Sequence, residues 1–371
     1  MKNIKKVTAL AAGAGVIATL IATAPTAQAE HIENPAAAGQ FVAVGSDTLQ
    51  DVVAALADGS HVTGSYVRST ASGTPFVSFN ATNAVGAVDN IQVKVGGPVL
   101  KRPNGSGNGV KALSRSIDGA AYEGTVITGQ IDIARSSSAP KGADIDPAAG
   151  ELIYIPFGRD ALSYAYKGSD TKLAALNAAT LKLIFQCDAA TLESLKDGGN
   201  ALVPVIPQAG SGSRKDFLAA IDLADAGLGA CVQTGQEHDT SELPANAVTP
   251  ISAAQWTAQN TGAATSRIGA GVKIGSPLAV SPVTGTGAST APNPAYYADN
   301  KWGRDTFLVA EYARVVPGSK FDAKLANLLG FTGSKLASAQ SALPSQAGAV
   351  KKKFGFLAPS TSETKRVKKS A

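Results

Sequence analysis

A single pattern recurs along the sequence: a short apolar strand, a turn of glycine and hydroxyl residues, and then a helix. The strand 40–44 and the turn 45–48 show it first, and the strand 202–206 with the turn 209–213 repeats it. After the first turn, four apolar residues recur at helical spacing: Leu49, Val52, Val53 and Leu56. Because strands that alternate with helices build layered folds, the sequence predicts an α/β protein.

Four turns have the composition of an anion-binding site: 45–48, 104–109, 135–138 and 210–214. A helix N-terminus leaves backbone N–H groups unpaired and carries partial positive charge from the helix dipole. Hydroxyl side chains add donors, and glycine lets a tetrahedral oxyanion approach closely. An ordinary N-cap explains any one of these turns. If the four turns converge, the side-chain donors are Ser46, Thr48, Ser106, Ser138, Ser211 and Ser213.

The formal net charge of +5 does not describe the body of the chain. Residues 1–29 contribute +3 and residues 351–371 contribute +6, which leaves −4 for residues 30–350. A nucleic-acid-binding body shows a basic stripe interleaved with aromatic residues, and this sequence has none. We therefore expect no nucleic-acid partner. We expect the basic tail 359–371 to be disordered and free to contact anionic cell-wall polymers or lipids.

Residues 1–29 have the organisation of a signal peptide. Three lysines precede the apolar run 9–22, and a small-x-small cleavage site follows at 27–29. We expect cleavage before Glu30 and a secreted, extracytoplasmic protein, with a retained N-terminal anchor as the alternative. No cysteine lies near the cleavage site, so lipid attachment there is excluded.

The chain has two cysteines, Cys187 and Cys231. In an oxidising compartment two cysteines of one chain are expected to be joined. Such a bridge would close a loop of about 43 residues and contribute roughly 3–4 kcal/mol in the chain-entropy model. Two buried free thiols are the alternative.

Motifs of catalysis and metal binding are absent from the sequence. Neither glycine-rich segment fits a P-loop, and no serine stands in G-x-S-x-G. His238 follows Glu237, but a histidine in a surface loop explains it better than a general base does. No two histidines have metal-ligand spacing. We predict no catalytic residue, no metal and no cofactor.

Taken together, these segments resemble the phosphate-binding proteins of phosphate ABC transporters, in particular a secreted bacterial branch of that superfamily. The resemblance covers roughly residues 40–358. It is carried by an ordered set of segments: Val44-Gly45-Ser46-Asp47-Thr48, Arg102-Pro103-Asn104-Gly105-Ser106-Gly107, Ala134-Arg135-Ser136-Ser137-Ser138, Pro207 to Arg214, and Phe354-Gly355-Phe356-Leu357. The serine-glycine-serine loop at 211–213 is the most specific of them.

This resemblance implies a type II periplasmic-binding-protein fold, in which two α/β lobes are joined by two crossing strands and hold the ligand between them. Lobe one would comprise residues 31–156 and 266–358, and lobe two residues 157–265. The Cys187–Cys231 bridge would then lie inside lobe two.

The resemblance also implies ligand-binding residues, position by position. Thr48 with Leu49 matches the first phosphate loop of the family, and Ser106 matches the second. The family's serine-glycine-threonine loop corresponds to Ser211, Gly212 and Ser213.

Two positions depart from the family's pattern. Ser138 stands where relatives have an aspartate that accepts the proton of hydrogen phosphate, and Pro207 stands where they have an arginine. Asp47 restores the acceptor if its carboxylate points into the cleft, and it caps its own helix otherwise. Arg214 or Arg135 would supply the cation.

Three functions are compatible with the sequence. The first is capture of inorganic phosphate, or of a similar oxyanion, by a monomer that delivers it to an ABC permease. The second is a secreted surface or matrix protein that kept the fold and lost transport. The third, an extracellular phosphatase, has a serine-rich cleft as its only support.

Overall fold

The computed structural model describes residues 33–82, 89–339 and 341–370. The predicted signal peptide at 1–29 lies outside the described residues. The strands are β1 (Val42–Gly45), β2 (Val77–Ser78), β3 (Asn90–Gln92), β4 (Val99–Lys101), β5 (Ala121–Tyr122), β6 (Thr125–Val126), β7 (Ile133–Ser136), β8 (Leu152–Lys167), β9 (Val203–Pro207), β10 (Gln233–Gly235), β11 (Ala247–Ser252), β12 (Lys273–Ile274), β13 (Val283–Thr284), β14 (Ala291–Pro292), β15 (Gly303–Glu311) and β16 (Lys365–Val367).

The α-helices are α1 (Gln50–Asp58), α2 (Ser106–Asp118), α3 (Asp170–Leu173), α4 (Ala178–Phe185), α5 (Ala189–Ser194), α6 (Gly212–Ala220), α7 (Ala253–Thr261), α8 (Pro294–Tyr297), α9 (Tyr312–Val315), α10 (Ala323–Leu328) and α11 (Ala347–Lys353). Short 3-10 turns cover Asp47–Leu49, Gly142–Asp144, Asp225–Gly227 and Gly287–Ser289. Strands and helices therefore alternate as the sequence predicts.

One long strand, β8, organises the sheet. The sheet has ten strands, eight of them in the order β10-β9-β11-β8-β15-β7-β1-β2, and β12 and β16 pair with β8 outside this path. The N-terminal half of β8 pairs with β15 and β16, whereas its C-terminal half pairs with β11 and β12. The sequence suggested two short strands at 152–156 and 161–166, and the structure joins them into one.

The apolar residues separate into two lobes on either side of this central pair. In lobe one, α1 packs on one face of β1 and β7, and α2 packs on the other. The residues Leu49, Val52, Val53 and Leu56 are buried, as the helical spacing predicts. In lobe two, α4, α6 and the strands β9 and β11 enclose a second core around Phe185, Phe217 and Trp302.

The chain crosses between the lobes twice. The first crossing is β8, whose Phe157 lies in the core of lobe one and whose Ala161 lies in the core of lobe two. The second crossing is β15, whose register on β8 shifts between Thr306 and Phe307. The segment 266–302 was expected in lobe one, but its buried residues, among them Val272 and Tyr296, pack in the core of lobe two. Helix α7 contacts both cores, through Ala254 on one side and Trp256 on the other.

The C-terminal tail differs from the expectation of disorder. Lys365–Val367 forms β16 and pairs antiparallel with Leu152, Ile153 and Tyr154 of β8. Val367 is buried in the core of lobe one, and the guanidinium of Arg366 lies 3.9 Å from the centre of the Tyr312 ring. The strand forms because β8 offers a free edge at this point and an apolar site for one valine.

The disulfide prediction is confirmed. Cys187 and Cys231 are joined, with 5.9 Å between their Cα atoms, inside lobe two. Within the described residues, no helix has the length and apolar character needed to cross a membrane.

Candidate functional site

The strand ends of both lobes face one another across a cleft. In lobe one, β1 and β7 run parallel, so their carboxyl ends bring the loops 46–49 and 137–138 to the same edge. In lobe two, β9, β10 and β11 run parallel to one another, and their carboxyl ends bring the loops 208–213 and 236–238 to the facing edge. Ligands of open α/β sheets bind at this edge.

At the centre of the cleft, one hydroxyl from each lobe contacts the same cation. Thr48 Oγ1 of lobe one and Ser213 Oγ of lobe two are 3.3 Å apart. Arg304 Nη2 donates to Ser213 Oγ at 2.8 Å and to Thr48 Oγ1 at 3.2 Å. All three residues are buried. Two turns that are 165 residues apart in sequence therefore present their side chains to a single point.

Arg304 comes from the crossing strand β15 and is held by two carboxylates. Its Nε and Nη2 bind Asp160 Oδ2 at 3.0 and 2.9 Å, and its Nη1 lies 3.3 Å from Asp216 Oδ2. Burial alone would lower the pKa of Arg304, but Asp160 and Asp216 outweigh burial and raise it. Burial raises the pKa of Asp216. The guanidinium is thus a permanent buried cation with fixed orientation.

Three serines of lobe one surround the start of α6. Ser106 Oγ, at the start of α2, accepts the N–H of Ser137 at 2.9 Å. Ser138 Oγ donates to Gly212 O at 3.1 Å and to Asp216 Oδ2 at 2.8 Å. A Cβ on Gly212 would collide with the hydroxyls of Ser106, Ser137 and Ser138. Glycine at 212 therefore allows the N-terminus of α6 to approach lobe one.

Glu237 and His238 complete the lobe-two side of the cleft, and both are buried. His238 Nδ1 accepts the backbone N–H of Ser252 at 3.3 Å, so the ring proton lies on Nε2. His238 Nε2 then donates to Thr48 Oγ1 at 2.9 Å and lies 3.3 Å from Glu237 Oε1. The expectation of a surface-loop histidine is wrong, because the loop after β10 folds inward with His238 at a φ of 56°.

The Glu237 carboxylate is ionised at neutral pH. Burial opposes its ionisation, but the neighbouring polar donors, above all the His238 ring 3.3 Å away, outweigh burial and lower its pKa to about 2. Its Oε2 has no hydrogen-bond partner among the described residues. The cleft thus holds one buried carboxylate oxygen that is free to accept a hydrogen bond from a protonated ligand.

Asp47 lies in a second charged group beside the cleft. It caps no helix, and its Oδ1 lies 4.0 Å from Arg267 Nη2. Burial raises its pKa to about 6, and the charge of Arg267 reduces that rise. The neighbouring Asp51, in the first turn of α1, accepts from Gln255 Nε2 at 3.1 Å.

Neither arginine chosen from the sequence reaches the hydroxyl cluster. Arg135 is fully buried in β7, where its guanidinium donates to Ser78 and to backbone carbonyls, including those of Ser46 and Phe79. Burial lowers its pKa to about 10. Arg214 turns outward, pairs with Asp225 at 2.7 Å and donates to Pro207 O. Arg304 occupies the position that they were expected to fill.

The remaining predicted residues have backbone or packing roles at the rim. Ser46 Oγ is buried without a hydrogen-bond partner among the described residues. Ser211 Oγ caps α6 by accepting the N–H of Arg214 at 3.0 Å. The Leu49 side chain packs in the core of lobe one. Within the described part of the chain, no group of three or more potential metal ligands is found.

The hydroxyl residues of the site could be recognised in the sequence, because they stand in turns of unusual composition. Their charged partners could not. Arg304, Asp160 and Asp216 lie in strands and helices with ordinary composition. Only the tertiary fold brings Arg304 to Asp160, 144 residues away. The Glu237-His238 pair was visible, but only its burial distinguishes it from a surface loop.

A family model described as a PBP superfamily domain matches residues 33–328. A search of curated proteins found no match to the sequence.

Among solved structures, the fold is similar to a protein from Clostridium perfringens assigned as a phosphate ABC transporter substrate-binding protein and solved with bound phosphate. The TM-score is 0.52 at 13% identity, covering 86% of this chain and 99% of that one. It is also similar to an ABC-type phosphate transport receptor from Vibrio cholerae, with a TM-score of 0.51 at 14% identity, covering 86% and 100%. These similarities show a two-lobed α/β fold of the expected class.

Proposed function

The chain belongs to the periplasmic-binding-protein (PBP) superfamily, and from this membership and the cleft geometry we propose that it captures inorganic phosphate, or a similar tetrahedral oxyanion, for ABC-type uptake. Both similar structures named above are described as phosphate-transport proteins. At 13–14% identity they support the fold, so the ligand is argued from the cleft itself.

One observation carries this proposal: Thr48 and Ser213, from opposite lobes, both contact Arg304 Nη2. The starts of α2 and α6 and the 3-10 turn before α1 lie close together, since Gly212 of α6 packs against Ser106 of α2 and Ser213 lies 3.3 Å from Thr48. Backbone N–H groups, hydroxyls and one buried cation are the donor set that suits a tetrahedral oxyanion. Because donors come from both lobes, binding of the anion would close the two lobes around it.

We assign the discrimination between phosphate and sulfate to Glu237. Near neutral pH phosphate retains a proton to donate, whereas sulfate does not. An ionised acceptor inside the cleft therefore pairs with hydrogen phosphate and repels sulfate. Glu237 supplies such an acceptor, with Oε1 3.5 Å from Thr48 Oγ1. It would take the role that the aspartate has in the relatives.

Isothermal calorimetry with phosphate and sulfate tests this assignment. We expect the wild type to prefer phosphate at least 100-fold, about 3 kcal/mol, and Glu237→Gln to lose most of that preference. Asp47→Asn is the matched control, since it neutralises a second buried carboxylate beside the cleft. If Asp47→Asn loses the preference and Glu237→Gln keeps it, the acceptor is Asp47.

We further propose that the protein acts outside the cytoplasmic membrane as a monomer and passes phosphate to a separate permease. The export signal at 1–29 supports this location, and the basic tail offers a contact to anionic wall polymers or lipids. In this proposal lobe one carries the loops at 46–49, 106 and 137–138, and lobe two carries 208–213 and 236–238.

We propose binding without covalent chemistry. A phosphatase would need a base at Thr48 or Ser213. Glu237 Oε1 lies 3.5 Å from Thr48 Oγ1, but a pKa of about 2 makes this carboxylate a weak base at neutral pH, which leaves His238 as the candidate. Its Nε2 carries the proton and its Nδ1 is occupied by the Ser252 N–H. His238 therefore acts as a donor. Absence of turnover of a phosphate monoester would agree with this.

Direct titration tests the whole proposal. We expect phosphate binding in the micromolar range or tighter, weakened at least tenfold by Thr48→Val, about 1.4 kcal/mol. Thr284→Val is the control, since Thr284 is exposed in the short strand β13. Absence of binding at millimolar phosphate, sulfate and other small oxyanions would overturn the proposal.

A second candidate is a surface or matrix protein on the same fold. One observation favours it: Asp160 and Asp216 already bind the Arg304 guanidinium, so that the cation is shared with two carboxylates. Failure to bind any oxyanion, in a protein that is folded by circular dichroism, would support this candidate.

A further inference from the structure

A groove larger than a phosphate ion opens from the serine side of the cleft. Its volume is about 800 Å³, within the range of pockets for organic ligands. Ser106, Ser138, Ser211 and Gly212 form one end, and the tail segment 367–370 forms part of the far wall. The groove therefore borders the loops at 106, 138 and 211–212 that belong to the proposed phosphate site, whereas Thr48, Ser213 and Arg304 are not among its lining residues.

Positive charge predominates along this groove. Five cationic side chains and two carboxylates line it: Lys141, Arg214, Lys215, Lys368 and Lys369, with Asp144 and Asp225. This contrasts with the net charge of −4 over residues 30–350. A local excess of cations in an acidic body selects for a ligand with more than one negative charge.

Within the part of the chain that the structure describes, two of these five cations are held in ion pairs and three are not. Arg214 is paired with Asp225, and Lys369 is paired with Asp118 and Glu151. Lys141 and Lys368 are exposed and have no ion pair within 4.0 Å among the described residues.

The two lysines also lie on adjoining segments. The backbone N–H of Lys368 donates to Asp144 O at 2.9 Å, and Asp144 ends the 3-10 turn that follows Lys141. Lys215 extends toward the same wall, with its Nζ donating to Ala139 O at 3.0 Å. Lobe one, lobe two and the C-terminal tail therefore each contribute one lysine to this lysine group of Lys141, Lys215 and Lys368.

We infer that the groove is a second anion subsite, so that the preferred ligand has at least two phosphate groups, one at the serine end and one at the lysine group. The inference rests on the proposed phosphate site, because the first phosphate group must bind there. The phosphates are joined either directly, as in a condensed phosphate chain, or through an organic body. The apolar side chains of Val110, Leu218 and Leu223 in the groove wall can pack against such a body.

Calorimetry with three probes tests the inference: orthophosphate, inorganic tripolyphosphate and a nucleoside diphosphate. We expect at least one of the two longer probes to bind about tenfold more tightly than orthophosphate. The double variant Lys141→Ala/Lys368→Ala should lose this advantage and keep its orthophosphate affinity. Lys352→Ala/Lys353→Ala on α11, exposed and outside the groove, removes the same charge and should change neither.

The outcomes separate the two proposals. Preference for tripolyphosphate alone identifies a condensed phosphate, and preference for the nucleoside diphosphate identifies an organic phosphate. Orthophosphate binding without any preference for the longer probes overturns the second subsite and leaves the phosphate site standing. A preference that survives in the Lys141/Lys368 variant overturns the assigned lysines. Failure of all three probes overturns the proposed function itself.

Discussion

Gly212 shows how one residue couples local conformation to the closure of the cleft. It is the first residue of α6 and has an ordinary negative φ, so alanine is allowed there and does not weaken the helix. Its missing Cβ, however, leaves space for three serine hydroxyls of the opposite lobe. We predict that Gly212→Ala keeps the melting temperature of the wild type and weakens phosphate binding at least tenfold, measured by calorimetry.

Gly318→Ala is the matched control for this prediction. Gly318 also has an unstrained φ, and a Cβ there meets only the Val316 carbonyl oxygen at 3.9 Å. It should change neither property. Undiminished phosphate affinity in Gly212→Ala would show that the lobes need not approach as closely as the structure places them.

Asp47 makes stability depend on pH. Its pKa is raised from 3.8 to about 6 in the folded protein, mainly by burial, so the folded state holds its proton more tightly than the unfolded state. The stability from this proton is fully present below pH 4 and is lost as pH rises through 6. At pH 7 the ionised carboxylate costs on the order of 3 kcal/mol.

We therefore predict that Asp47→Asn raises the free energy of unfolding at pH 7 and flattens its decline between pH 4 and 6. Urea titrations over this pH range measure both effects. Glu242→Gln, in an exposed turn, reports the general effect of removing a charge. A variant less stable than wild type at pH 7 would mean that Asp47 gains more from Arg267 than it loses by burial.

At the scale of single residues, the sequence predicts the hydroxyl donors of the cleft better than its charged residues. Thr48 and Ser213 stand in turns whose composition is itself the signal, and the structure brings them within 3.3 Å of each other. The partner of a buried charge is set by tertiary packing, as for Arg304 between Asp160 and Asp216. Arg135 and Arg214 were chosen because they adjoin the turns. Adjacent residues in a strand or helix point in different directions. A position next to a turn in the sequence therefore does not bring the side chain of Arg135 or Arg214 into the cleft.

At the scale of elements, the disulfide connects the end of α4 to the loop that leads into β10. Gly229 in this loop donates to Phe185 O and lies against Cys187 Sγ. The bridge therefore fixes the path of the chain toward Glu237 and His238. With a sequence separation of 44 between the cysteines, the chain-entropy model assigns it about 4 kcal/mol.

We predict that Cys187→Ser/Cys231→Ser lowers the free energy of unfolding by about 4 kcal/mol in urea titrations. Wild type unfolded under reducing conditions should show the same loss and serves as the control. A loss below about 1 kcal/mol would mean that the reduced chain retains structure in this region when unfolded.

Element boundaries were predicted well where the apolar pattern is local. The strand expected at 40–44 is Val42–Gly45, and the strand expected at 202–206 is Val203–Pro207. The sequence placed the return to lobe one at residue 266, yet the second crossing is β15, because α7 packs against both cores and the chain stays in lobe two until Trp302. No local sequence pattern predicts that the chain packs in lobe two again after α7.

At the scale of the whole molecule, the C-terminal segment 365–367 is part of lobe one. The basic tail was expected to be solvated, because its composition is polar. Its single valine, Val367, is buried, and β16 is hydrogen-bonded to β8 immediately before the first crossing between the lobes. The average composition of the tail is polar, so it does not reveal that one apolar residue, Val367, is buried when β16 pairs with the edge of β8.

We predict that Val367→Ala lowers the free energy of unfolding by about 2 kcal/mol, because it removes two buried methyl groups and leaves a cavity. Val95→Ala, at a valine that is 71% exposed, should have almost no effect and is the matched control. Hydrogen exchange should show slow amides in β16, whose partners on β8 belong to the first crossing. If Val367→Ala and Val95→Ala are equally stable and the β16 amides exchange freely, the tail is not docked on β8.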